Sequence, residues 1–524
     1  MVRRLSSPST TTATITKQPK DDTIFIWNSI GDILGDGGED QSGQSVAFNS
    51  VGDRIIMAAP YHLVDNEKKG HARIFIQQTT KTINDKKEEE QSSSWVLVGK
   101  GGDIGGTETG DRMSSVAMNQ VGDRIMVGAP YNDESGMNAG HVRVFQEVNG
   151  VWVQIGQNLN GQAAGDQSGM SIDMDGSGTR LIIGAPFNDN GSAAAGGSTN
   201  TNAGHARIYQ EVDGSWTQLG EDLEGDASED QFGTSVAMST DGKRVIIGAP
   251  YNDENGNDAG HVRVYEETNG SWIQVGTNIL GEAPNDWSGF SVDINSNGER
   301  IIIGAPYNSN IESGGLYSGH ARIYQQGGVD GSWIQVGNDI DGENAEDWSG
   351  YNVAMNSNGQ RVVIGAPYNQ DVAYSAGHAR VYQEMDGLWT QMGQDLDGKD
   401  SYDNAGTSVD ISSDGTRVVV GAPEDNNNYS GPGHSRVYEL DAHTPSTSSA
   451  SLSWWIYVTI ISAALVSIGG LIMLWRKRNR SEVGSIMVDK TNKAPVKFPI
   501  PALDTEHKSE AMSNNMNSPS VDSE

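Results

Sequence analysis

The chain has 524 residues, a formal net charge of −34, 66 glycines and no cysteine. The missing thiols exclude disulfides and thiolate metal centres. The acidic balance excludes the basic footprint that nucleic-acid binding requires, and it suits a solvated surface and divalent cations.

Residues 1–22 are rich in Ser and Thr, with Arg3, Arg4, Lys17 and Lys20 and no acid before Asp21. They lack the apolar stretch of a secretory signal peptide. They read as a disordered leader or the remnant of an incomplete N-terminus, with a transit peptide as the alternative.

Residues 23–440 repeat one pattern. The stretch Arg244-Val245-Ile246-Ile247-Gly248-Ala249-Pro250 recurs seven times, with its proline at Pro60, Pro130, Pro186, Pro250, Pro306, Pro367 and Pro423. A period of this size marks a repeat architecture. Each unit carries four strand signals. A Trp strand comes first, as in Ser271-Trp272-Ile273-Gln274-Val275-Gly276, and then an alternating strand such as Ser288-Gly289-Phe290-Ser291-Val292-Asp293-Ile294. The apolar, β-branched run before Gly-Ala-Pro fits a strand covered on both faces. The fourth strand is of the type Gly319-His320-Ala321-Arg322-Ile323-Tyr324. Between the second and third lie Asp241-Gly242, Asn297-Gly298, Asn358-Gly359 and Asp414-Gly415, read as hairpin turns because Asn, Asp and Gly tolerate positive φ.

Seven units of four strands predict an all-β, seven-bladed β-propeller. The last unit has no Trp strand after it, and the first Trp strand, around Trp27, has no unit before it. The N-terminal strand is therefore expected to complete the seventh blade and remove an exposed edge. Unequal spacings place insertions at residues 79–94, 191–202 and 311–317, read as polar surface loops.

Residues 441–453 read as a Ser/Thr/Pro-rich stalk. Residues 454–475 form an uncharged apolar run; at about 1.5 Å per residue it spans roughly 33 Å, enough for a hydrocarbon core of about 30 Å. Trp454, Trp455, Tyr457 and Trp475 sit where interfacial aromatics belong, and Arg476-Lys477-Arg478 follows at once. By the positive-inside rule the polar, disordered tail 476–524 is cytoplasmic and the propeller extracellular, in a single-pass plasma-membrane protein. An external domain ordinarily follows a signal peptide, so this orientation conflicts with the leader unless the true start lies upstream.

Asp230-Gln231-Phe232-Gly233-Thr234-Ser235-Val236, followed by Val245-Ile246-Ile247-Gly248-Ala249-Pro250, resembles the FG-GAP repeat of integrin α-chain propellers. The pattern is closer to FG-GAP-like repeats of bacterial and algal surface proteins, with their Gly-His-x-Arg-Val-Tyr and Trp-x-Gln-x-Gly strands. The resemblance implies a propeller with the Phe-Gly strand innermost, and adhesion or ligand binding outside a membrane. It stops short of an integrin: no leg domains precede the apolar run, and Arg476-Lys477-Arg478 stands where integrin tails carry Gly-Phe-Phe-Lys-Arg. The family's calcium loop has its nearest match in Asp173-Met174-Asp175-Gly176-Ser177-Gly178-Thr179-Arg180, one residue short and ending in Arg; ordinary hairpins are expected there.

Candidate sites divide by symmetry. His71, His141, His205, His261, His320, His378 and His434 recur in every unit, each with an Arg two positions on. One active site needs unlike groups in one arrangement, so these pairs are read as contacts between neighbouring blades. Trp287 and Trp348 replace Gln in two units only; they are read as packing between blades, with a ligand-facing aromatic pair as the sharper alternative. The oxygen-rich loops after Gly-Ala-Pro, with Asn132, Asp133, Asp189 and Asp253, are candidate calcium loops, although Asn and Asp are also ordinary turn residues. Sequons at Asn190, Asn269 and Asn428 would matter in a lumenal or extracellular domain. No nucleotide loop, nucleophile elbow or zinc signature is present.

The expected function is recognition of an extracellular protein or glycan by a membrane-anchored propeller. A structural cell-surface or cell-wall protein without a discrete ligand is the alternative. A propeller hydrolase would need carboxylates or a nucleophile converging on the central channel, and no such cluster is evident in the sequence.

Overall fold

The computed structural model describes residues 24–443, apart from 84–88, 99–102, 195–197, 310–314, 328–330 and 425–430. Its strands form seven antiparallel sheets arranged as the blades of a propeller, with two small ribbons beside them. Blade 4 is typical. Ser235–Met238 lies innermost, then Arg244–Ala249, His261–Thr268 and Ser271–Gln274 follow as a meander.

The buried run Arg244–Ala249 explains why blades form at all. Val245, Ile246 and Ile247 are fully buried, although successive residues of a strand point to opposite faces. Both faces must therefore be covered, and in a ring the two neighbouring blades cover them. The core lies between blades accordingly. Ile246 and Val262 of blade 4 pack with Val292, Ile301 and Tyr324 of blade 5.

The outer strand is broken in two. In blade 4, Ser271–Gln274 pairs with one half of the His strand and Ile279–Leu280 with the other. The equivalent break in blade 2 holds Gly156 at φ +70°, and a Cβ there would lie 2.6 Å from Trp216 of the next blade. Glycine at the break thus makes room for the neighbour's indole. Most of these Trp residues also donate their indole N–H to the preceding blade, as Trp272 does to Leu219 O at 2.9 Å and Trp389 to Val336 O at 2.8 Å. They pack between blades, as their recurrence in every unit predicts.

Ring closure follows the expected route. Ile24–Leu34 pairs antiparallel with His434–His443, with Trp27 opposite Leu440. Trp27 is buried and donates to Met392 O of blade 6 at 2.8 Å. The partner of the closing strand runs to His443, three residues into the segment read as stalk.

The hairpin turns expected between the second and third strands are present, with a different backbone. At Asp241-Gly242 and its equivalents only the glycine has positive φ. The preceding side chain acts instead as a cap: Asp241 Oδ1 accepts from Lys243 N at 3.0 Å. Within the blades, tight two-residue turns with both residues at positive φ lie at the outer corner, at Asn149-Gly150, Asp213-Gly214, Asn269-Gly270 and Asp386-Gly387. The insertions are also more regular than polar loops. Residues 79–83 and 89–94 pair within His71–Ile83 and Glu89–Leu97, and Asn190–Ala194 pairs with Ser198–Asn200. The third insertion falls largely outside the described residues. An unexpected ribbon, Leu63–Val64 with Glu67–Lys68, stands in blade 1.

Among the described residues no helix is long and apolar enough to cross a membrane. The leader, the apolar run 454–475 and the tail lie outside them.

Candidate functional site

The repeated His–Arg strands hold the blades together. Arg143 donates to Gly105 O at 2.8 Å, Arg322 to Leu280 O at 2.9 Å and Arg380 to Asp341 O at 2.8 Å. Each of these carbonyls belongs to the outer strand of the preceding blade. Arg73 repeats the contact across the seam, to Leu34 O at 2.7 Å. Arg207 departs from the pattern and pairs with Asp222 of its own blade. All seven histidines of these strands are buried. Burial pulls His205 and His261 down to about 4 and His378 to about 3, so these rings are neutral.

The inner strands surround a cavity of about 670 Å³, within the range of small-molecule sites. Its lining corrects one sequence expectation, because three carboxylates do converge on the channel. Asp173, Asp293 and Asp410 stand on the inner strands of blades 3, 5 and 7, where the other four blades carry Ala47, Ala117, Ala237 and Ala354. Each accepts two backbone N–H groups, one from its own strand and one from the next blade. Asp173 bonds Met174 N at 2.8 Å and Met238 N at 2.7 Å. Asp410 bonds Ile411 N at 2.7 Å and Phe48 N at 2.6 Å. Desolvation, with repulsion from Asp410, pushes Asp173 up to about 7; desolvation pushes Asp410 to about 6 and, with repulsion from Asp173, lifts Asp293 well above the usual carboxylate range. The signal was legible in retrospect: Ser-Val-Asp-Ile alternates with Ser-Val-Ala-Met at one phase of the repeat.

On the Gly-Ala-Pro face the channel mouth carries two interleaved sets of residues. One set follows the prolines: Tyr61, Tyr131, Phe187, Tyr251, Tyr307 and Tyr368, with Glu424 in blade 7. The other precedes the inner strands and has positive φ in every blade: Gln41, Arg112, Gln167, Gln231, Trp287, Trp348 and Asn404. This second set wedges between successive aromatics. In blade 2 the wedge is cationic, with the Arg112 guanidinium 5.2 Å from the Tyr61 ring and 4.8 Å from Tyr131. In blades 5 and 6 it is Trp. The Trp287 ring stacks on Tyr307 at 3.6 Å and meets Tyr251 edge-on at 4.9 Å. The Trp348 ring lies 4.5 Å from Tyr307 and 4.4 Å from Tyr368. The result is a continuous arc of five rings over blades 4–6, half-buried rather than enclosed. A bulky side chain at positive φ is strained, and strain of this kind clusters at functional sites.

The structure does not bring the candidate calcium residues together, since they stand in three different blades. Asn132 is buried and bonds Asp111 at 2.9 Å. Asp133, Asp189 and Asp253 each close their own loop, accepting from Asn138 N at 2.7 Å, Asn202 N at 2.9 Å and Asp258 N at 2.8 Å. At the nearest match to the family's calcium loop, Asp175 caps a hairpin through Thr179 N and Arg180 N. Of the sequons, Asn269 is exposed at an outer hairpin tip, Asn190 opens a ribbon strand, and Asn428 lies outside the described residues.

A ring of seven four-stranded blades around a lined channel defines a β-propeller. Residues 224–265, which span most of blade 4, match the FG-GAP repeat family, so the seven-bladed ring carries an FG-GAP repeat. No curated protein matches it. Among solved structures it is similar to Kuenenia stuttgartiensis hydrazine synthase, at 11% identity over 79% of this chain and 97% of that one, with a TM-score of 0.44. It is also similar to a Bacteroides uniformis protein assigned as a 6-phosphogluconolactonase, at 12% identity over 68% and 86%, with a TM-score of 0.43. At these values the likeness says nothing about function.

Proposed function

We propose that this chain is a single-pass surface protein whose extracellular propeller recognises a protein or glycan ligand at the channel mouth. The observation that carries the reading is the arc Tyr251–Trp287–Tyr307–Trp348–Tyr368. It occupies one side of an otherwise repeated ring, so it can single out one ligand where repeat-wide residues cannot. Aromatic faces supply large contact area at low conformational cost, and Trp and Tyr dominate binding hot spots. Membrane anchoring rests on the apolar run 454–475 and the basic residues after it. The protein acts in adhesion or recognition and is not an enzyme.

The first test is topology. In cells expressing the full chain, the propeller should be cut by external protease and carry glycans at one or more of Asn190, Asn269 and Asn428; a protected, unglycosylated propeller rules out the extracellular placement. The second test is binding. The purified full chain should bind a subset of an array of glycans and surface proteins, and Trp287→Asn with Trp348→Asn should abolish it. Binding that survives the double substitution removes the arc from the site. Saturable binding to one partner also argues against a purely structural role.

A hydrolase reading has one observation in its favour, the three channel carboxylates. Their backbone hydrogen bonds already assign them to holding the inner strands, so the recognition reading is preferred. Calcium in the loops at Asn132, Asp133, Asp189 and Asp253 remains a proposal, checked by whether calcium raises the melting temperature.

A further inference from the structure

The symmetry argument that makes seven histidines structural does not reach an eighth. His62 follows Tyr61, at a position where blades 2–6 carry Asn132, Asn188, Asn252, Asn308 and Asn369. Four of those Asn side chains bond a buried Asp before the inner strand, as Asn252 donates to Asp230 at 3.0 Å and Asn369 to Asp347 at 3.1 Å. His62 keeps the same contact, with Nδ1 2.8 Å from Asp40 Oδ2. What it adds is a second imidazole beside the repeated one. The His62 and His71 rings stack with centroids 3.6 Å apart and planes 14° from parallel.

The donor types suit a metal site once the His62 ring turns out of this stack, because an imidazole lone pair lies in its ring plane and the two planes are nearly parallel. One ligand atom from each of Asp40, His62 and His71 lies within 4.8 Å of the others. Nε2 of His71 is fully buried with no hydrogen-bond partner, as are those of His141, His261, His320 and His378, so the orphan belongs to the repeat and the second imidazole of His62 is what sets blade 1 apart. Nδ1 of His71 lies 3.0 Å from Asp103 Oδ1. A carboxylate behind a histidine is the usual means of holding the proton on one nitrogen and aiming the other at a metal. The site also has an approach from solvent, since the His62 side chain is 19% exposed while Asp40 is 4%.

Two other clusters share part of this design, Glu282–His320–Asp339 and Glu343–His378–Asp395. There a guanidinium already serves the glutamate, with Arg322 3.5 Å from Glu282 and Arg380 3.1 Å from Glu343. In blade 1 the corresponding Arg73 pairs with Asp36 instead.

We propose that Asp40, His62 and His71 bind one divalent transition-metal ion, with Asp103 as a positioning residue. Two imidazoles and one carboxylate, with a fourth position open to water, form a zinc donor set at about 2.0–2.2 Å per bond. Calcium and magnesium favour all-oxygen sites, so the ion here differs in kind from calcium in the post-proline loops of blades 2–4.

The test uses the full-length chain without a polyhistidine tag, stripped by chelator and dialysed. Zinc is titrated in competition with a chromogenic chelator, and cobalt is added separately to read visible ligand-field absorption. One equivalent of zinc and a cobalt band are expected. His62→Asn, which installs the residue of five other blades, should abolish the band and weaken zinc binding by about tenfold or more. Asp103→Asn should weaken it by about 10–100-fold while leaving the melting temperature of the metal-free chain unchanged. If the unmodified chain takes up no zinc saturably, or if His62→Asn binds it equally well, the proposal is wrong.

Discussion

The amide of Ser413 donates to the carbonyl of Ser50 at 2.9 Å, joining the last blade to the first. The same bond recurs around the ring: Ser50 to Gln120, Gln120 to Gly176, Gly176 to Thr240, Thr240 to Ser296, Ser296 to Ser357, and Ser357 to Ser413. Seven backbone hydrogen bonds thus form a closed circle at the end of the channel opposite the aromatic arc. None of these residues lines the cavity. A second circle lies beside it, in which an Arg of each blade donates to a turn-glycine carbonyl of the next. Arg54 bonds Gly122, Arg124 bonds Gly178, and so on until Arg417 bonds Gly52 at 3.1 Å.

Closure is therefore redundant at the channel floor but depends on one strand at the rim. Trp27→Ala should cost about 3–5 kcal/mol, the range for a buried aromatic lost to a cavity. It also weakens the strand that covers the edge of His434–His443, so self-association should rise. Chemical denaturation and sedimentation measure the two effects. Arg417→Ala, which removes the Gly52 bond and the 2.9 Å contact with Glu439, should cost less, about 1–3 kcal/mol.

Gly248→Ala should destabilise the ring by about 1–3 kcal/mol, the usual range for overpacking. A Cβ at Gly248 would lie 2.0 Å from Gly289 O of the next blade, and backbone cannot step aside as a side chain can. Blade 1 carries Ala58 at this position, and the facing segment of blade 2, Asp111 to Ser115, is one residue shorter than its counterparts. The denaturation midpoint of Gly248→Ala is the measurement; no change would mean that the blades can separate locally without loss.

The channel carboxylates predict a pH dependence of definite sign. Asp173 and Asp410 titrate in the folded chain near 7 and 6, above the unfolded value of about 3.9. The folded state therefore binds more protons between these values. Their contribution to stability is complete below about pH 3.9 and is lost as pH rises through 6–7. Asp173→Asn with Asp293→Asn and Asp410→Asn should flatten the fall in melting temperature between pH 5 and 8, by scanning calorimetry. An unchanged slope would assign the dependence to other groups.

Trp287→Asn and Trp348→Asn separate packing from recognition. Asn404 shows that asparagine accepts this left-handed backbone, which suits a short polar side chain. If the arc exists for a ligand, each substitution should change stability by less than about 1 kcal/mol. Losses of about 3–5 kcal/mol, typical of a buried Trp removed from a core, would mark the pair as structural.

Blade count, strand order, the N-terminal closing strand and the inter-blade role of the repeated Trp and most of the Arg residues were legible in the residues. Each is written seven times, and repetition averages out local ambiguity. The corner turns were less legible, because Asp-Gly at two different corners looks alike in sequence. Only strand register separates a capped loop at Asp241-Gly242 from a tight turn at Asn269-Gly270.

The site was the least legible part. Trp287 and Trp348 stand out because they break the repeat, but that they stack into one arc with Tyr251, Tyr307 and Tyr368 depends on adjacent blades facing each other. Asp173, Asp293 and Asp410 lie more than a hundred residues apart in the chain, and His62 looks like a loop residue until it meets His71. The amino-acid sequence by itself determined a seven-fold ring of blades, since seven repeats of four strands, each with a run buried on both faces, leave neighbouring blades to cover one another. Tertiary structure alone decided what the ring encloses, because closing it brings side chains from distant repeats into one channel and one face.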